Sequence, residues 1–185
     1  MIATSIFFIT RRPPMSALTA HERTLILSGT CNGETQQEIC ATIIRLNLIS
    51  DEEIILYIDS DGGGMSAAIH IYDTIKESRA RVRGIVIGRA VSAAFVTLLA
   101  CHHRVAFSHA NLMYHAPALV GMRLDQVDFE EQLALRKGFH DIMISELVRR
   151  GKASRAQFEQ WSREEKYLSA SQALEVGMID EIMSS

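Results

Sequence analysis

A serine, a histidine and a carboxylate can together hydrolyse an acyl bond when a fold brings them into line: the hydroxyl attacks, the imidazole takes its proton, and the carboxylate orients the imidazole. The sequence holds candidates for all three parts. Ser92 lies in Gly88-Arg89-Ala90-Val91-Ser92-Ala93-Ala94, a turn of small residues at the mouth of the apolar stretch from Ala93 to Cys101. Unpaired N–H groups at the start of a helix there would stabilise the negative charge that develops in an acyl transition state. Taken alone, the same serine also reads as an N-cap, and the GxSxG pattern of a nucleophile elbow is absent. Among the seven histidines, His115 in Met113-Tyr114-His115-Ala116-Pro117 ends an apolar strand just before a proline-marked turn, where a side chain can face a cleft. A histidine in that place is otherwise structural, and its role depends on its partners. His102 and His103 read as a solvated pair at a helix end, and His70 and His140 as helix-surface residues. For the carboxylate, Glu164 and Glu165 fall in the charge run 163–166, which reads equally as a solvated face. A further feature is Gly62-Gly63-Gly64, which is either a tight turn or a place where backbone comes close to a ligand. It is a poor phosphate loop, since neither GxGxxG nor a following Lys-Ser or Lys-Thr is present.

The elements that must position these residues alternate between strand and helix. Residues 24–27 read as a short strand, and Ile39, Ile43 and Leu46 then recur at helical spacing. The continuous apolar run 54–58 has the length and composition of a parallel strand covered on both faces, and it ends in the turn 59–64. An amphipathic helix with Ala68, Ile69, Ile71, Tyr72 and Ile75 inward leads to a second buried strand at 83–88. A buried helix follows over 93–101, then two short strands at 104–107 and 111–115. From residue 124 to 150 runs a long helical pattern carried by Leu124, Val127, Leu135, Phe139, Ile142, Met143 and Leu147, closed by Gly151. Ser154-x-x-Gln157 and Ser169-x-x-Gln172 read as capping boxes that open two shorter helices. The pattern is an α/β layered domain without linker or repeat.

Composition excludes other classes. With 48% apolar and 22% charged residues, and only 11 glycines and 3 prolines, the chain is an ordinary globular sequence able to bury one core. The net charge is −3 and the basic residues are scattered, so nucleic acid is not an expected partner. No apolar stretch approaches the ~20 residues that cross a bilayer, so no membrane span is expected. Residues 2–9 are mildly apolar, but Arg11-Arg12 follow them, the reverse of a secretory signal, so we read 1–19 as an arm of the mature protein. Cys31, Cys40 and Cys101 have neither disulfide nor zinc spacing, which suits core positions in a reducing cytoplasm.

Five motifs occur in order: Leu56-Tyr57-Ile58-Asp59-Ser60-Asp61-Gly62-Gly63, Ile71-Tyr72-Asp73-Thr74-Ile75, Gly88-Arg89-Ala90-Val91-Ser92-Ala93-Ala94, Met113-Tyr114-His115-Ala116-Pro117 and Tyr167-Leu168-Ser169-Ala170. Together they closely resemble the Clp protease proteolytic subunit (ClpP) family, which has the crotonase-like fold, from about residue 20 to the end. The resemblance implies layered parallel β-sheets with flanking helices and a long projecting handle helix, built from one domain over 20–185. It implies Ser92 as nucleophile, His115 as general base, and Gly63 and Ala93 as donors of the oxyanion-hole N–H groups. No metal or organic cofactor is implied. The implied partners are other subunits in seven-membered rings stacked face to face, a paralogous subunit, an AAA+ unfoldase, and unfolded polypeptide as substrate.

The sequence departs from the family at several places. Glu165 stands where the family usually has Asp, four residues before the serine of the final Leu-Ser motif, and it would be the acid of the triad. Asp61 replaces a Pro in the glycine loop, and Ala116 replaces a Gln after the histidine. The segment 118–124 replaces a glycine-rich strand that leads into the handle, and residues 7–14 have no clear match to the pore-lining segment. Two other readings compete with an endopeptidase. One is a non-catalytic or weakly active ring subunit that assembles with an active paralogue. The other is a crotonase-type acyl-CoA enzyme, which would give Ser92 and His115 no necessary role and finds no basic cluster for the CoA phosphates.

Overall fold

The computed structural model describes residues 20–116 and 126–184. The arm at 1–19, the altered segment 118–124 and the expected start of the long helix at Leu124 lie outside the described residues. A 3-10 turn at Ala20–Arg23 leads into β1 (Thr24–Cys31), α1 (Gly33–Asn47), β2 (Ile54–Gly63), α2 (Met65–Lys76), β3 (Val82–Val91) and α3 (Ala93–Ala100). These are followed by β4 (His103–Phe107), β5 (Asn111–Met113), α4 (Gln126–Arg150), α5 (Arg155–Arg163), β6 (Leu168–Ser169), α6 (Ala170–Glu175) and β7 (Glu181–Met183). The fold class read from the sequence holds: the α/β chain builds a parallel sheet, in the order β1-β2-β3-β4-β7, with helices packed against it. β5 runs parallel to the far end of β3, and β6 pairs antiparallel with β5.

The central strands are longer than their apolar runs. β2 was expected to end at Ile58 in a turn, yet it continues through Gly63 because Thr30 and Cys31 of β1 still pair with Gly62 and Gly63. β3 likewise extends to Val91, across the small-residue segment expected to be a turn, because Arg89, Ala90 and Val91 pair with β5. Between the two strands the register jumps: Ile58 faces Val86, but Ser60 faces Ala90, so β3 carries an irregular stretch over residues 87–89. Such bulges re-aim a strand, and this one turns the end of β3 toward the site.

α3 is buried at every position, as its unbroken apolar composition requires. It lies on β3 at Gly84, where an added Cβ would come within 2.7 Å of Cys101 Sγ and 3.0 Å of Leu98 Cδ1. In α4, Met143, Ile144 and Leu147 are buried, whereas Ile142, of the same apolar pattern, is 59% exposed. Glu146 fastens this helix, accepting hydrogen bonds from Arg149 and Arg150 and pairing with Lys76 of α2. Ser169 and Gln172 form the expected capping box at α6, whereas at α5 only the Ser154 half is made. No helix among the described residues is long and apolar enough to cross a membrane.

Candidate active site

Ser92 is the joint between β3 and α3. Its backbone has φ 55 and ψ −118, and among the described residues only Ser92 and Glu165 combine a side chain with positive φ. Such a conformation costs about 1–3 kcal/mol and persists only where its surroundings impose it. Here the Ser92 N–H donates to Met113 O at 2.8 Å, and Val96 N–H returns to Ser92 O at 3.2 Å. Ser92 occupies the N-cap position, but its hydroxyl makes no capping hydrogen bond. The Oγ instead lies 2.7 Å from His115 Nε2.

His115 owes that position to strand pairing on two sides. Val91 of β3 pairs with Met113 of β5, so the residues just beyond each strand end remain neighbours. On the other side, β6 pairs antiparallel with Asn111 opposite Ser169 and Leu112 opposite Leu168. Continuing that register sets His115 opposite Glu165, and their side chains meet at 3.0 Å between Nδ1 and Oε1. Glu164 turns elsewhere, accepting a hydrogen bond from Gln160 Nε2 at 2.7 Å. The three side chains therefore form one chain, Ser92–His115–Glu165, that grows wetter outward: the His115 side chain is 22% exposed and that of Glu165 63%.

Glu165 occupies the position after the C-cap of α5, with φ 50, and the next N–H, Lys166, reaches back to Trp161 O at 3.0 Å. This is the arrangement in which helices usually end on glycine. A glutamate there accepts the steric cost of the left-handed conformation, and the turn aims its carboxylate at the imidazole.

The glycine loop faces the serine from β2. A Cβ on Gly62, which has φ +96, would come within 2.6 Å of Val91 O, 2.8 Å of Ser92 Cβ and 2.9 Å of Ala93 N. Only a glycine allows that approach. The Gly62 N–H donates to the buried Ser60 Oγ at 3.0 Å, Ser60 donates to Gly29 O at 2.5 Å, and the Gly64 N–H donates to Cys31 O at 2.7 Å. Gly63, between them, is exposed and has φ +147. Ala93 is the first residue of α3 and fully buried, so its N–H belongs to the helix start that lacks an intrahelical acceptor. Gly63 and Ala93 thus lie on the two segments that meet at Ser92.

Sequence reasoning missed three contributors. Ser60 looked like a turn residue, although it continues the alternate burial of Ile54, Leu56 and Ile58, which was the available signal. Gly62, rather than Gly63, makes the close contact with Ser92. Tyr114, buried beside His115, stacks on His140 with its OH 3.1 Å from Nδ1 and tilts against Phe95. His140 is therefore a packed residue of α4 and not the surface histidine its helix position suggested. Burial lowers its pKa and raises that of Tyr114. His102, read as solvated, accepts the Val82 N–H through Nδ1. Cys31, Cys40 and Cys101 are buried and free, and burial pushes the Cys31 thiol up to about 11. Among the described residues no group of three or more His, Cys, Asp or Glu side chains is placed to hold a metal ion.

Comparison with known proteins agrees with this architecture. The Clp protease family model matches residues 13–185. The ATP-dependent Clp protease proteolytic subunit 1 of Mycolicibacterium paratuberculosis is 31% identical over 166 residues, which cover 88% of this chain and 79% of that one. The corresponding subunit 2 of Mycobacterium tuberculosis is also 31% identical over 166 residues, covering 88% and 78%. A solved structure of a ClpP1 mutant from Listeria monocytogenes superposes with a TM-score of 0.76 at 24% identity, over 90% of this chain and 94% of the other, and so shares its fold. On these findings, the chain belongs to the Clp protease family.

Proposed function

We propose that the chain is a serine endopeptidase that hydrolyses unfolded polypeptide through Ser92, His115 and Glu165. The observation that carries this reading is the Ser92 hydroxyl: it leaves its capping role unfilled, sits on a strained backbone, and is in hydrogen-bond contact with His115 Nε2 at 2.7 Å. In this reading Glu165 accepts the Nδ1–H of His115, which leaves the Nε2 lone pair for the Ser92 proton. Ser92 Oγ forms a bond to the scissile carbonyl carbon as its proton passes to Nε2. The oxyanion receives the N–H groups of Ala93 and Gly63, the two donors that the resemblance to the family implies. Collapse breaks the C–N bond, His115 returns the proton to the leaving amine, and water releases the acyl group by the same steps. The chemistry proceeds through side chains and backbone alone.

By the same reading the peptidase domain spans 20–185 with 1–19 as an arm, and the subunit works in the cytoplasm, in a ring fed by an AAA+ unfoldase. Family membership and the relatives named as subunits of an ATP-dependent protease support this assembly. That such relatives occur as subunits 1 and 2 also keeps a mixed ring with a paralogue in view. Hydrolysis of a fluorogenic peptide tests the proposal. His115→Ala should lower turnover by on the order of 10³ or more with the fold intact, and unchanged turnover would remove His115 from the mechanism.

A further inference from the structure

The strands on either side of the glycine loop are tied by charges that the proposed chemistry does not use. Arg89, in the irregular stretch of β3, donates its backbone N–H to Asp59 Oδ1 at 3.2 Å, and its guanidinium meets Asp61 Oδ1 at 2.8 Å and Asp59 Oδ1 at 4.0 Å. The Asp59 carboxylate fills the space opened by the register jump, where a Cβ on Gly88 would stand only 2.6 Å from its Oδ1. Asp61 immediately precedes Gly62, and Arg89 comes three residues before Ser92. One guanidinium therefore fastens the start of the glycine loop to the strand that carries the serine.

We propose that Arg89 is a positioning residue whose ion pair with Asp61 holds the Gly62-Gly63 loop against Ser92, so that the Gly63 N–H meets the oxyanion. This rests on the peptidase reading of Ser92. Inside the loop, the fixed points are the Ser60 hydrogen bonds, the approach of Gly62 to Ser92, the pairing of Gly62 and Gly63 with Thr30 and Cys31 of β1, and the Gly64 N–H bond to Cys31 O. Those hold the loop toward β1 and Ser92, and no proline stiffens position 61, so the exposed Asp61 end, on the β3 side, is fastened by the Arg89 pair. Preorganised donors stabilise a transition state only if they are already aimed when charge develops. A loosened loop should therefore lower kcat while leaving substrate affinity nearly unchanged. Both side chains are exposed, 56% for Arg89 and 73% for Asp61, so the effect is bounded by what a solvent-screened pair can hold.

The test compares wild type with Arg89→Gln, Asp61→Asn, the double variant and Arg89→Lys, by peptide kinetics and by amide hydrogen exchange of the segment 59–64. Each single neutralisation should lower kcat roughly two- to fivefold with KM within about twofold, and should speed exchange in that segment by a similar factor. The double variant should be no worse than either single, since both remove the same contact, and Arg89→Lys should recover most of the loss. Unchanged kcat in the single variants, losses that multiply in the double, or unaltered exchange would each overturn the proposal. A wild-type protein that neither hydrolyses peptide nor is labelled at Ser92 would refute the peptidase reading instead, and hydrogen exchange alone would then decide whether Arg89 fastens the loop.

Discussion

Glu165 serves two ends that oppose each other. Its backbone closes α5 in the left-handed conformation, which costs a side-chain-bearing residue about 1–2 kcal/mol relative to glycine, and its carboxylate reaches His115. Glu165→Gly should therefore raise thermal stability by about 1 kcal/mol while cutting peptide turnover by about 100-fold or more. Paired melting and kinetic measurements check this; a variant both more stable and fully active would show that the carboxylate orients nothing. Glu165→Gln should lose turnover, Glu165→Asp should keep part of it, and Glu164→Gln should be silent, since Glu164 is engaged with Gln160. The reverse result for the two glutamines would place the acid one residue earlier. Ser92 and His115 were both visible in the sequence as residues at strand–helix and strand–turn junctions. The choice between capping and nucleophile for Ser92 was not, because it depends on a φ angle and on where the hydroxyl points. Nor did the charge run choose between Glu164 and Glu165, which the two-residue strand β6 decides through its register with β5.

At the scale of elements, the β2–β3 bulge and the glycine loop build the site. Gly62→Ala would push a Cβ to 2.6 Å from Val91 O in a positive-φ conformation, so it should destabilise the protein by about 1–3 kcal/mol and abolish turnover. Gly64→Ala is the matched control: φ is −69 and the nearest atom, Cys31 O, would lie at 3.5 Å, so both properties should be nearly retained. Equal loss in the two variants would show that the loop tolerates no side chain anywhere and that the contact with Ser92 is not special. The Tyr114–His140 contact ties β5 to α4 and should give stability a pH dependence. Burial lowers the His140 pKa, aided by Arg136 and Arg155 and opposed by Asp141 and Glu159. The unfolded chain then binds the proton more readily, so stability should be full above the ordinary value of 6.5 and fall as pH drops through it toward the lower folded value. His140→Phe should flatten that window in denaturant melts; an unchanged pH slope would assign it to another group. Glu146 acts further down: burial pushes its pKa up, but hydrogen bonds from Arg149 and the charges of Lys76, Arg150 and Arg149 prevail and hold it at about 2. Its contribution should be lost only as pH falls from 4.5 toward that value. The alternation of strands and helices was legible from apolar periodicity. The strand ends were not, because Asp59 to Gly63 and Gly88 to Val91 have turn-like composition and are held in the sheet by partners distant in sequence.

For the whole molecule, composition marked the chain as an ordinary globular sequence with one core, and the alternation of strand and helix patterns placed it in the α/β class before any motif was weighed. Several apolar side chains of α4 stay exposed: Leu133, Ile142 and Val148 are 45%, 59% and 38% open to solvent. A long helix that repeats apolar residues beyond its own core is suited to meeting another subunit. Native mass spectrometry or sedimentation should therefore find an oligomer at micromolar concentration, whereas a lone 20.6 kDa species would contradict a ring. The Clp protease family membership sets the expectation of peptidase activity, but whether this subunit carries it rests on Ser92. Labelling of the assembled protein with a fluorophosphonate probe, mapped by tandem mass spectrometry, puts that to the test. One adduct should form, on Ser92, and should vanish in Ser92→Ala and fall sharply in His115→Ala; an adduct on a different serine, or none on the intact protein, would contradict the proposed nucleophile.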